Sequence, residues 1–200
     1  MITSDLLRAS DPVLAKIMDV IPVPSHKSTG NVFHDLMSCI IEQQIHYRST
    51  KRTFEKMLAK AEISELTSDN FSNFEEIAFE SVKISERKYE TILRVVEFWQ
   101  GNVPDWKMLT DEEVRKAFKQ IKGVGVWTVD MILLFTIERP DIFPADDYHL
   151  KMLMTSLYGL DAKSKLKAQM KKVAEKWSPC QSLAVRYLLA WKEYQKQQKL

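Results

Sequence analysis

Two hundred residues, 45% of them hydrophobic and including nine Phe and five Trp, suffice for one domain with a packed core, yet no apolar run approaches the ~18 residues of a membrane span. Two cysteines, Cys39 and Cys180, exclude the four-thiolate ligand set of an iron–sulfur cluster and are read as small buried apolar residues. The opening Met1-Ile-Thr-Ser-Asp5 lacks the basic and apolar regions of a signal peptide, so a cytoplasmic chain is expected. The net charge of +2 is unevenly spread. Residues 151–200 hold eleven Lys and Arg against three Asp and Glu, or +8, which leaves residues 1–150 at −6. Such a split suits a polyanion facing the C-terminal part, or else a solvated helix face.

In chain order, Ser4 or Ser10-Asp-Pro starts a helical segment with Leu6, Leu7, Val13, Leu14 and Ile17 apolar, and the prolines and glycine of residues 21–30 make a loop. Asn31 is placed to cap a helix whose Phe33, Leu36, Met37, Ile40 and Ile41 face inward. Around Glu42-Gln-Gln-Ile-His46 the pattern turns polar, as in an exposed turn, and helical spacing resumes from Ser49 through Phe54, Met57 and Leu58. Residues 62–80 suggest short helices. Ser85 opens a helix carrying Ile92, Val95, Val96, Phe98 and Trp99, which Gly101 and Pro104 stop. Helices over 149–158, 161–177 and 181–196 close the chain. All five glycines fall in breaks and no strand pair or repeat is found, so the fold is read as all-α. The four histidines have no paired metal-ligand spacing.

The segment after Thr110 is richer. Thr110-Asp-Glu-Glu113 is a capping box, and the helix it opens carries Val114, Ala117, Phe118 and Ile121 on one face. Gly123 and Gly125 follow, and residues 127–137 are again apolar at helical spacing. Two helices joined by Gly-x-Gly form a helix–hairpin–helix. Its glycines supply positive φ and close backbone approach, and its second helix presents amides to an anion such as a DNA phosphate. Past a loop bracketed by Pro140 and Pro144, two carboxylates, Asp146 and Asp147, open the next helix.

Four pieces occur in order over residues 40–190: Ile40-Ile-Glu-Gln-Gln-Ile45, Lys122-Gly-Val-Gly-Val-Trp-Thr128, Phe143-Pro-Ala-Asp-Asp-Tyr148, and Trp177-Ser-Pro-Cys-Gln-Ser182 with Ala184. Together they resemble the helix–hairpin–helix (HhH-GPD) DNA glycosylase superfamily, in particular its AlkA-type branch, the DNA-3-methyladenine glycosylases II. The resemblance implies an all-α, two-lobed domain spanning 1–200 with the active-site cleft between the lobes. One lobe would comprise about 1–30 plus 140–200, and the other about 31–139, containing the hairpin 113–137.

It also implies a base-excision-repair enzyme that flips alkylated purines out of double-stranded DNA and releases them, leaving an abasic site. The catalytic acid would be Asp147, the second aspartate of the pair, with Asp146 as the helix cap. A carboxylate held against C1′ stabilises the oxocarbenium-like state that forms when an N-glycosidic bond breaks, and it can also orient the attacking water. Trp127 stands where bifunctional members carry a Schiff-base lysine, so the implied enzyme uses water and has no lyase step. Trp127, Met131, Leu189 and Trp191 would line the base pocket, where an indole can stack on a cationic base. Gln44 and Ile45 would fill the gap left by the flipped base. Lys122, Gly123, Val124, Gly125 and Thr128 would bind phosphates 3′ of the lesion, and the backbone carbonyls of Lys119, Ile121 and Val124 would hold a structural Na⁺ or K⁺. No cofactor is required, and a monomer, cytoplasmic and nucleoid-associated or, in a eukaryote, nuclear, is expected. Two alternatives stay open: a glycosylase for uracil or mismatched thymine, and a non-catalytic hairpin module that only binds DNA.

Overall fold

The computed structural model describes residues 2–25, 28–42, 50–101 and 103–198; the expected wedge residues Gln44 and Ile45 lie outside them. All regular structure among the described residues is helical: α1 (Ile2–Ser10), α2 (Pro12–Val20), α3 (Val32–Glu42), α4 (Thr50–Lys60), α5 (Phe71–Ala78), α6 (Glu86–Gln100), α7 (Asp111–Lys119), α8 (Val126–Met131), α9 (Tyr148–Tyr158), α10 (Leu166–Ala174) and α11 (Gln181–Gln197). None is long and apolar enough to cross a membrane. The chain forms two compact units, Ser28–Ile132 and a discontinuous one made of Met1–Lys27 with Leu133–Leu200. The boundary falls inside a π-helical turn, Ile132–Thr136, that continues α8 where the periodicity predicts unbroken α-helix.

In the 28–132 unit, α3 is the central helix and packs on α4, α6 and α8. Its apolar stripe, Val32, Phe33, Leu36, Met37, Ile40 and Ile41, is buried along its whole length. Asn31 caps it as expected, its Oδ1 accepting from the His34 amide at 3.0 Å. Aromatic rings fill much of this core. Phe33 meets Trp99 edge-on at 5.3 Å, and Trp106 stacks on Phe118 at 4.7 Å and 8°, arrangements that stabilise by about 1 kcal/mol each beyond the area they bury. Cys39 is a free thiol that burial pushes up to about 12, so it stays protonated and inert.

In the discontinuous unit α2 packs on α1 and α11, and α9 packs on α10 and α11. Its centre is polar. Asp11 has no exposed surface, yet its carboxylate accepts hydrogen bonds from the Val13 and Leu14 amides (2.9 and 3.2 Å), Tyr158 Oη (2.8 Å) and Trp177 Nε1 (2.7 Å), with Lys176 Nζ at 3.2 Å. One short side chain thus caps α2 and ties the N-terminal helices to the α9 end and to the turn after α10. Burial alone would push this carboxyl up, but the bonds from Trp177, Tyr158, Leu14 and Lys176 outweigh it and hold it below the ordinary carboxylate value.

Candidate functional site

The hairpin belongs to the 28–132 unit. The expected capping box is formed: Thr110 Oγ1 accepts from the Glu113 amide at 3.3 Å, and Glu113 accepts from the Thr110 amide at 2.8 Å. After α7 the chain tightens through i→i−3 bonds, Gln120 to Ala117, Ile121 to Phe118 and Val124 to Ile121. Gly123 then turns with φ +106, a value closed to other residues, directly over Thr91 of α6. Gly125 sits at the N-cap of α8 with φ −93 and open space around it, and it has no side chain to cover the first-turn amides. An ion pair of 2.6 Å between Arg115 and the buried Asp130 locks α7 to α8. Lys122, Gly123, Gly125 and Val126 are exposed, Val126 to 62%.

Thr128 corrects the expectation. Its side chain is completely buried, because the third residue of α8 faces the core, so its hydroxyl cannot reach a phosphate. The Ile121 carbonyl keeps one lone pair after accepting from Val124, which is compatible with a place in a cation's shell.

Asp147 belongs to the other unit. Leu133–Thr136 and the loop after it are pinned by the start of α11. Ser182, fully buried, accepts from the Ile142 amide at 2.9 Å and donates to the Arg139 carbonyl at 2.5 Å, and its own amide donates to the Pro140 carbonyl at 3.0 Å. Asp141 accepts from Ser178 Oγ (2.6 Å) and the Gln181 amide (3.1 Å). Phe143 packs edge-on against Trp177 at 5.8 Å. The loop thus delivers Asp147 to the N-terminus of α9, 7% exposed, with Oδ1 accepting from the Leu150 amide at 2.8 Å.

The cap is therefore Asp147 and not Asp146. An N-cap carboxylate must stand immediately before the first helical residue to reach the third amide, and α9 begins at Tyr148. Asp146, one residue too early, turns to Lys167 (2.6 Å) and Lys151 (3.7 Å), and Lys167 in particular keeps its carboxyl below the ordinary value.

Trp127, Met131, Leu189 and Trp191 are all half-buried. Trp191 stacks on Tyr194 at 5.4 Å, and its buried Nε1 has no acceptor among the described residues. A further cavity, which no pattern in the sequence points to, lies between α9 and α11. There His149, Met152, Leu153, Ser156, Leu157, Lys192 and Gln195 line a shallow pocket of about 210 Å³. Burial, and then the Lys192 charge, hold His149 below its ordinary value, while Asp147 pulls it back up.

Residues 37–179 match the profile of the HhH-GPD superfamily base excision DNA repair protein, a stretch that includes both hairpin and acid. The chain is 27% identical over 165 residues to DNA-3-methyladenine glycosylase 1 of Schizosaccharomyces pombe, covering 80% of this chain and 71% of that one. The solved structure of Schizosaccharomyces pombe 3-methyladenine DNA glycosylase (Mag1) in complex with abasic DNA has the same fold, with a TM-score of 0.76 at 24% identity over 94% of this chain and 95% of that one. The 3-methyladenine DNA-glycosylase of Archaeoglobus fulgidus has it too, with a TM-score of 0.73 at 19% identity over 94% and 68%.

Proposed function

The chain belongs to the HhH-GPD superfamily of base excision DNA repair proteins, and from that premise we propose that it flips alkylated purines, of the 3-methyladenine and 7-methylguanine type, out of double-stranded DNA and hydrolyses them off. The relatives named above carry 3-methyladenine in their names. As a DNA N-glycosylase it must stabilise positive charge growing on the sugar, and Asp147 is the group for that task. An N-alkylated purine already bears positive charge and leaves without a general acid, so one carboxylate is enough.

The observation that carries this reading is the setting of Asp147. It is nearly withdrawn from water, and one oxygen is fixed by the Leu150 amide while the loop before it is held by Ser182 and Asp141. A carboxylate so preorganised loses little freedom on meeting C1′. Trp127 in place of a Schiff-base lysine supports hydrolysis by water, with no strand cleavage. Trp127, Met131, Leu189 and Trp191 are each half-buried and are the candidates for apolar and aromatic contact with the base.

The exposed turn Lys122–Gly125 and the amides of α8 take the DNA backbone, and a Na⁺ or K⁺ on the carbonyls of Lys119, Ile121 and Val124 would add positive charge there. The gap in the base stack falls to Gln44 and Ile45. The test is incubation with methylated DNA and identification of the released bases by mass. Wild type releases 3-methyladenine and 7-methylguanine. Asp147→Asn, whose amide oxygen can still cap α9, binds DNA but excises about 100- to 1,000-fold more slowly. Undiminished release by that variant would sink the assignment.

A further inference from the structure

Asp146 does not cap α9, yet it holds two cations. Lys167 Nζ of α10 donates to its Oδ2 at 2.6 Å, and Lys151 Nζ of α9 lies 3.7 Å from its Oδ1. Two lysines on one carboxylate leave the cluster with a charge of +1. Lys167 is half exposed and the other two side chains about a third, and ion pairs so open to water add little to a fold. Their location is more telling. Asp146 precedes Asp147 in the chain, and the Lys151 amide donates to the Asp147 carbonyl at 3.1 Å. The cluster is therefore built on the same turn as the reactive carboxylate, wholly within the discontinuous unit. On that turn Tyr148 and Met152, four residues apart on either side of Lys151, are 68% and 59% exposed. Aromatic and apolar surface interleaved with cations is the make-up of a groove for a nucleic acid strand. The positive charge also continues past Lys167: residues 161–176 hold six lysines against Asp161 and Glu175, and exposed Lys171 follows one turn along α10, opposite its buried Met170 and Ala174.

We infer that Lys151 and Lys167, gathered by Asp146, bind the phosphates on either side of the nucleotide whose sugar is presented to Asp147. A sugar brought to Asp147 carries both of its phosphates with it through covalent bonds, so two anions must arrive beside this turn together. An ammonium has three donors, and the bond to Asp146 leaves Lys167 with donors for a phosphate oxygen. The second lysine keeps the cluster positive although Asp146 is ionised, and the carboxylate holds both long side chains near the place where the phosphates come. An acidic protein segment would meet the same charges, but the attachment of the cluster to the Asp147 turn favours the anion that the reaction itself delivers there.

This assignment rests on the glycosylase reading, and DNA binding and base release test the two separately. Binding is followed by fluorescence anisotropy between about 50 and 200 mM salt, with an undamaged duplex and one containing an abasic site. Lys151→Gln and Lys167→Gln should each lower the salt slope for the abasic-site duplex by about 0.9, the value of one phosphate contact, and weaken that binding about fivefold. Binding to the undamaged duplex, whose nucleotides stay in the stack, should change less than about twofold. Lys16→Gln, which removes an exposed lysine of α2, should alter neither. An unchanged slope in either variant overturns the assignment, including the case in which only stability in urea falls and the cluster is a tie between α9 and α10. Equal losses on both duplexes, or the same loss in Lys16→Gln, overturn it too, since the lysines would then add only general charge. A wild type that releases no base from methylated DNA overturns the glycosylase reading, and the slopes still decide the role of the lysines.

Discussion

A Cβ on Gly123 would overlap Thr91 Oγ1 and lie 2.8 Å from its Cγ2, and φ +106 would strain any side chain whatever the space. Thr91 cannot easily withdraw, since its hydroxyl is bonded to the Arg87 carbonyl at 2.9 Å. Gly123→Ala should therefore destabilise the protein by about 2–3 kcal/mol in urea unfolding, and Thr91→Ala should recover only the steric part. Gly125 has neither constraint: its φ is ordinary and nothing lies within 4 Å of the Cβ position. Gly125→Ala should leave stability within about 0.5 kcal/mol but weaken DNA binding severalfold, because the methyl would stand where the proposed reading has a phosphate approach. Equal loss of stability in both variants would contradict this division between a glycine needed for folding and a glycine needed for contact.

Among the elements, the loop from Arg139 to Asp147 is held in place by partners outside itself. Ser182→Ala would leave the Ile142 amide and the Arg139 carbonyl without their bonds. We expect about 2 kcal/mol of destabilisation and a fall in the excision rate larger than any change in DNA affinity. Retention of the full rate would show that Asp147 is placed without that anchor. The sequence made the helix breaks legible because Gly and Pro mark them, and it made α7 legible because a capping box is a local pattern. Asp147 is singled out in the sequence only by the resemblance and by its distance from the hairpin.

Other features were not, for physical reasons. Which of two adjacent aspartates caps α9 depends on where the chain leaves the Pro144 bend. The burial of the Thr128 hydroxyl depends on which face of α8 meets the core. The π-helical turn at Ile132–Thr136 leaves the apolar spacing almost unchanged. The pocket beside His149 carried no local signal, since its lining residues meet only when α11 is laid on α9.

For the whole molecule, acid should act through Asp11. Its folded value lies below the unfolded ~3.9, so the stabilisation it provides is complete above that pH and disappears as pH falls through the lower folded value. Asp11→Asn should flatten the dependence of unfolding free energy on pH below about 4. Asp11→Ala, which orphans Trp177 Nε1 and Tyr158 Oη, should cost about 3 kcal/mol at neutral pH. A wild-type acid limb unchanged in Asp11→Asn would exclude this carboxylate as its source. The +8 of residues 151–200 and the exposed Lys122 lead us to expect DNA affinity to fall at least about tenfold between 50 and 200 mM salt, measured by fluorescence anisotropy.

That same buried aspartate has a consequence for biosynthesis. Asp11 leaves the ribosome about 147 residues before Tyr158 and 166 before Trp177, whereas residues 28–132 are contiguous. The nascent inserted segment can gather its own core while the first two helices still await their counterparts. Those helices cannot complete their polar centre until Trp177 has been made, which makes them the part of the newborn polypeptide most in need of shelter.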